Sequence, residues 1–207
     1  PVLLLGVYFN TVIVGFFALS HRFISMPISF MGRSIGQVFY QKSVALKDDN
    51  KVLKNLTLNT YKKLFQIGIV PFAIITVFGD YIFAFVFGKQ WIIAGVYAQI
   101  LSLWILFVFI SSPLSNLLLT LEKQKEALYF NIAIFSSRVL ALIYGGLILR
   151  DTYQTILLFG ITGLLFWMFW AFYILDLTGI NLSKIIFFTF SRLFSIIGIL
   201  FCIRLMF

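Results

Sequence analysis

The sequence predicts an all-α, polytopic membrane protein, and three observations carry that prediction. Residues are 61% hydrophobic and only 11% charged, with 26 phenylalanines among 207 positions. The mean hydropathy is +1.04. Apolar runs of the roughly 20 residues that cross a bilayer recur along the chain, separated by short polar breaks. A soluble domain of this size exposes too much of its surface to hide so much apolar area. Lipid therefore has to solvate most of it.

The first 41 residues must hold one complete span and part of another. In one parse, helices cover 1–19 and 23–41 with a hairpin at Ser20-His21-Arg22. In the other, a partial helix at 1–10 ends near Asn10-Thr11 and a span runs from about 12 to 40. Asn-Thr is the better turn and capping chemistry, which favours the second parse. Further spans are expected at about 64–87, 91–120, 127–149, 153–176 and 184–207, so that 1–207 reads as one transmembrane bundle. The breaks between them are GKQW at 88–91, EKQKEA at 122–127, RDTYQ at 150–154 and DLTGINLSK at 176–184.

Alternation of these spans places Lys42, Lys47, Lys51, Lys54, Lys62, Lys63, Lys123, Lys125 and Lys184 on one face, and Lys89, Arg150 and Arg204 on the other. Nine cations against three make the first face cytoplasmic by the positive-inside rule. The net charge of +9 is then topogenic rather than a nucleic-acid footprint. The basic stretch 42–63 is expected to be an amphipathic loop on the anionic inner leaflet, with Asp49-Asn50 as caps and Leu53, Leu56, Tyr61 and Leu64 near one helical face. The Asn55-Leu56-Thr57 sequon would face the cytosol and stay unused.

Catalytic chemistry is not visible. Cys202 and His21 are the only cysteine and the only histidine, so a disulfide framework, a zinc site or a Ser-His-Asp triad lacks parts, and neither metal nor cofactor is implied. The chain starts at Pro1 and stops within an apolar run, so a piece of a longer protein is expected. Nothing at its start has the shape of a signal peptide.

The informative residues are the arginines. At 100° per residue, Arg22, Ser25, Ser29, Arg33, Gly36 and Gln37 gather on one side of the 12–40 span. Ile24, Ile28, Met31, Ile35 and Val38 gather opposite as a lipid stripe, and Pro27 is expected to bend the helix. In a later span Gln124, Asn131, Arg138 and Gly145 recur every seven residues, and the span before it offers Ser111, Ser112, Ser115 and Asn116 around Pro113. An arginine at mid-membrane costs about 2.5–3.5 kcal/mol on insertion scales, and normally pairs or faces a watery cavity. Yet Asp48, Asp49, Glu122, Glu126, Asp151 and Asp176 sit in or beside loops, and Asp80 towards the outer end of its span. A visiting anion would repay the cost, and phosphate suits the guanidinium fork. Two duller readings stay open: carboxylates supplied from outside this chain, or snorkelling, Arg22 above all. Gly32-x-x-x-Gly36 reads as close helix packing, and Arg192 is a fourth cation of undetermined depth.

LLLGVYFNTVIVGFFALSHRFISMPISFMGRSIGQVFYQ closely resembles the mid-protein region of bacterial polysaccharide-biosynthesis (O-antigen, Wzx-like) flippases. FAFVFGKQWIIAGVYAQIL and FISSPLSNLLLTLEKQ are similar to that family's later segments, so that the resemblance spans about residues 3–140. The family belongs to a superfamily that also holds multidrug and toxin extruders. The resemblance implies two six-helix bundles around a cavity with alternating access, this chain being the carboxy-terminal bundle. It implies a cargo of polyprenyl-diphosphate-linked oligosaccharide, moved across the inner membrane, and no enzymatic step. Membrane lipids and other polysaccharide assembly proteins are the expected partners, and nucleic acid is not. The family's cavities are cationic, which suits Arg22, Arg33 and Arg138 as diphosphate ligands, with Gln37, Ser25, Ser29, Asn116 and Asn131 on sugar hydroxyls. A cation-coupled drug exporter of the same superfamily would want a cavity acid instead. A membrane-embedded glycosyltransferase or ligase would want acidic groups at an interface and a larger external loop.

Overall fold

A computed structural model describes residues 1–206, the side chains of Phe30 and Arg33 excepted. Among the described residues the chain is helical, with no strand. The elements are α1 (Val2–Tyr8), α2 (Thr11–Pro27), α3 (Arg33–Ala45), α4 (Asn50–Phe87), α5 (Ile92–Leu114), α6 (Leu117–Thr120), α7 (Gln124–Tyr144), α8 (Thr152–Asp176) and α9 (Leu182–Arg204). A π-helical turn, Ile28–Gly32, joins α2 to α3, and a second, Gly145–Leu149, ends α7. Five helical stretches are long and apolar enough to cross a membrane: Asn50–Phe87, Lys89–Thr120, Gln124–Leu149, Thr152–Asp176 and Leu182–Arg204. The protein is a polytopic helical membrane protein.

Helix starts obey local capping chemistry. The side chains of Asn10, Asp49, Asp151 and Asn181 accept from backbone amides in the first turns of α2, α4, α8 and α9, respectively. Asn10 Oδ1 lies 3.0 Å from Ile13 N, and Ser20-His21-Arg22 is interior to α2 rather than a hairpin. Pro27 ends α2, and the π turn begins at the next residue.

The centre of the bundle is α5. Its residues are apolar on all sides, the pattern of a helix enclosed by others, and its buried positions run from Ala94 to Leu114. Helices α4, α8 and α2 pack around it, while α7 packs on α8 and α9 on α4. Gly79 and Gly95 let α4 and α5 meet backbone to backbone: a Cβ on Gly95 would lie 2.5 Å from the Gly79 carbonyl. Hydroxyl bonds tie neighbouring helices, with Ser20 Oγ donating to Ala94 O at 2.5 Å, Thr76 and Ser102 at 2.7 Å, and Tyr61 and Thr189 at 2.8 Å. Outward, large apolar side chains such as Phe85 and Phe187 are 91% and 75% exposed, as lipid-facing residues are.

Two expectations need correction. The stretch 42–63 is not a loop: α3 runs to Ala45, a short turn comes next, and Asn50 opens a helix continuous to Phe87. At 1.5 Å per residue α4 reaches about 57 Å, well beyond the roughly 30 Å hydrocarbon thickness. Its apolar face found protein rather than a leaflet, for Leu53, Tyr61 and Leu64 are buried in the bundle. Lys54 Nζ also donates to the Gly179 carbonyl. The expected lipid stripe on the first complete helix holds only in part. Met31 and Val38 are exposed, but Ile24 is buried in the core and Ile28 lines a cavity. Ile24 lies in α2, before the π turn, and is buried because α2 packs on α5, a contact that a helical wheel does not reveal.

Candidate functional site

A cavity of about 690 Å³ opens between the α2–π–α3 stretch and α5, with one residue of α8 on its wall. The first side supplies His21, Ser25, Ser29, Gln37 and Tyr40. The opposite side supplies Trp104, Ser112 and Asn116, and α8 supplies Trp167. Asn116 is held in place, its amide nitrogen donating to the carbonyls of Gly36 at 3.1 Å and Pro113 at 3.2 Å. That contact needs the glycine, since a Cβ on Gly36 would come within 2.8 Å of the same nitrogen. Gly32, by contrast, meets no neighbouring helix and only lines the cavity.

Behind this wall, Arg138 of α7 lies against Trp104. Its guanidinium carbon is 3.6 Å from the Trp104 ring centroid and 4.3 Å from that of Phe159. The two rings stand edge-to-face, 5.5 Å apart and 89° to one another, and the guanidinium sits in the corner they form, each cation–π contact contributing about 0.5–2 kcal/mol depending on desolvation. Gly163 of α8 makes the slot, because a Cβ there would sit 1.9 Å from Arg138 Nη2 and 3.0 Å from the Trp104 ring. His21 closes the group, its ring 5.6 Å from Trp104 and 5.9 Å from Phe17.

Hydrogen bonding at this locus is incomplete. Among the described residues, the buried side-chain polar atoms without a partner are Ser25 Oγ, Trp104 Nε1, Arg138 Nε and Arg138 Nη2. Ser25 and Trp104 line the cavity, and Arg138 stacks on Trp104. All four atoms can donate a hydrogen bond, and three can only donate. An unpaired buried polar group costs about 1–3 kcal/mol, more when charged. A ligand rich in acceptor oxygens would recover that cost.

The sequence-predicted residues divide accordingly. Ser25, Ser29, Gln37 and Asn116 line one cavity. Arg138 reaches it through Trp104. Arg22 is exposed and outside the lining, about 100° round α2 from His21. Asn131 is exposed on α7, away from the cavity. The Arg33 side chain lies outside the described residues, although its backbone opens α3. Arg192 is exposed, its guanidinium 4.7 Å from the Phe188 ring centroid. His21, Tyr40, Trp104 and Trp167 were not singled out for the site from the sequence. The two tryptophans carried a signal, because each sits inside an apolar run rather than at a membrane interface, where tryptophan is usual.

No curated protein and no solved structure matches the chain. Residues 1–95, just under half of it, match the family model described as polysaccharide biosynthesis protein. The match takes in the α2–α3 wall of the cavity, while Trp104, Asn116 and Arg138 lie beyond it. Over residues 1–95, then, the chain is similar to the polysaccharide biosynthesis protein family.

Proposed function

We propose that this chain is part of a flippase that moves a polyprenyl-diphosphate-linked oligosaccharide, an O-antigen or similar surface-polysaccharide unit, across the bacterial inner membrane. The family match over residues 1–95 supports the coarser statement, a role in polysaccharide biosynthesis or export. The observation that carries the finer one is the gathering of unpartnered buried donors at one cavity, Ser25 and Trp104 on its wall and Arg138 stacked directly behind Trp104. A diphosphate supplies acceptor oxygens and negative charge together, and a guanidinium binds it with direction as well as charge.

In this reading Arg138, braced by Trp104, and Ser25 meet the diphosphate. Ser29, Gln37 and Asn116 hydrogen-bond to sugar hydroxyls, and the tryptophan and tyrosine faces pack on sugar rings. Arg22 acts earlier, as an exposed cation that draws the headgroup in. Arg33 has its role from the sequence alone, and Asn131 has none at the cavity. The prenyl tail stays in lipid while the headgroup crosses, and access alternates by rocking of packed helices about the loaded site. No covalent bond is made or broken.

The test replaces Arg138 by Ala and by Lys in the full-length protein and scores surface polysaccharide against protein abundance. The Ala variant is expected to lose export at normal abundance, and the Lys variant to keep part of it. Normal export by an abundant Ala variant would end the diphosphate assignment.

A further inference from the structure

A second cavity, of about 480 Å³, runs between α3 and α4 on the lysine-rich face of the bundle. It shares no lining residue with the first. Its apolar lining is Ile35, Val38, the buried Phe39 and Leu56. Each wall carries a lysine, Lys42 from α3 and Lys63 from α4, and Ser34 and Asn59 also line the groove.

The lysines of this region differ in what they already hold. Lys54 donates to a carbonyl, Lys62 sits 5.8 Å over the Phe188 ring and Lys47 pairs with Glu122 at 3.9 Å. Lys42 and Lys63 have no ion-pair or hydrogen-bond partner among the described residues, and no carboxylate lines the groove. Two cations without a protein counter-ion on one groove leave a positive charge there that an anion would neutralise. The groove also suits an apolar group, since Ile35, Val38, Phe39 and Leu56 share its lining with the lysines. One molecule meets both demands.

We propose that this groove holds an anionic membrane phospholipid, with its phosphate on Lys42 and Lys63. Ser34 and Asn59 hydrogen-bond to the headgroup, and an acyl chain lies along Val38 and Phe39. The proposal does not depend on what the first cavity transports. Basic clefts between membrane helices on the cytoplasmic side are general headgroup sites, and here the free cations and the apolar lining select one.

The test uses purified full-length protein in detergent, with retained lipid measured by native mass spectrometry after titration with phosphatidylglycerol or phosphatidylcholine. Phosphatidylglycerol should be retained in preference. The Lys42→Gln/Lys63→Gln variant should bind it about thirtyfold more weakly, the weight of two lysines at an anionic surface. A Lys51→Gln/Lys125→Gln variant, which removes equal charge from exposed positions outside the groove, should bind as the parent does. Equal retention of the two lipids, or equal loss in both double variants, would overturn the proposal. So would glycerophosphate competing as strongly as the whole lipid, or a polyprenyl diphosphate held in preference to phosphatidylglycerol.

Discussion

Gly163→Ala is the substitution that most cleanly separates function from stability. An added methyl would stand 1.9 Å from Arg138 Nη2, and ordinary van der Waals contact begins at 3.4 Å, so the guanidinium must shift by about 1.5 Å (3.4 minus 1.9). The Trp104 ring at 3.0 Å limits where it can go. Arginine is long and flexible, so the fold itself has room to adapt. Ala also gains roughly 1 kcal/mol over Gly in a helix interior. Stability is therefore expected near the parent's, within about 1 kcal/mol. The cation–π contacts are what give way, at about 0.5–2 kcal/mol, and with them the aim of the donors. Binding of a polyprenyl diphosphate to the full-length protein should weaken about two- to thirtyfold. Titration in detergent alongside a thermal melt reads both quantities. Because the damage passes through one side chain, Gly163→Ala should add nothing once Arg138 is Ala. Parental binding by a well-folded Gly163→Ala variant would refute the reasoning. So would additive losses in the double variant.

Other substitutions probe the scaffold. Asp80 accepts from Arg204 Nη2 at 2.7 Å and from Gln99 Nε2 at 3.0 Å, joining α4, α9 and α5. Asp80→Asn should lower stability by about 1.5–3 kcal/mol, and a melt equal to the parent's would show the pair to be idle. Tyr61 is fully buried and bonded to Thr189. Tyr61→Phe should cost only about 0.6 kcal/mol, as interhelical bonds in membranes do, whereas Tyr61→Ala should cost about 3–5 kcal/mol through its cavity; equal losses would mean the hydroxyl dominates. Gly36→Ala should displace the Asn116 amide from the Gly36 carbonyl and weaken cargo binding, while Asn116→Ala in the same background should add little further loss.

Much of this architecture was legible because lipid imposes few solutions. Apolar length marks a membrane helix directly, and Asn10 and Asp49 mark helix starts by chemistry that acts within three residues. The polar positions Ser25, Ser29, Gln37 and Asn116 stand out because a bilayer penalises them unless something polar lies nearby. What escaped reading depends on longer-range geometry. Packing of α2 on α5 buries Ile24 and turns Ile28 to the cavity, whereas a helical wheel drawn without its neighbours turns both to lipid. The run from Asn50 is one helix with the span after it because its apolar face meets α9, which no local pattern announces. The Arg138–Trp104 stack joins α7 to α5 through a slot made by a glycine on α8, three elements whose meeting only the folded bundle reveals.

The account rests on Arg138 serving a phosphate-bearing cargo, and equilibrium binding tests that most directly. Full-length protein, its Arg138→Ala variant and its Arg138→Lys variant would each be titrated with a polyprenyl diphosphate and with the corresponding polyprenyl alcohol. The account predicts preference for the diphosphate in the parent, a loss of about tenfold or more for Ala with partial recovery for Lys, and no change towards the alcohol. Equal affinity of the parent and the Ala variant for the diphosphate would contradict it.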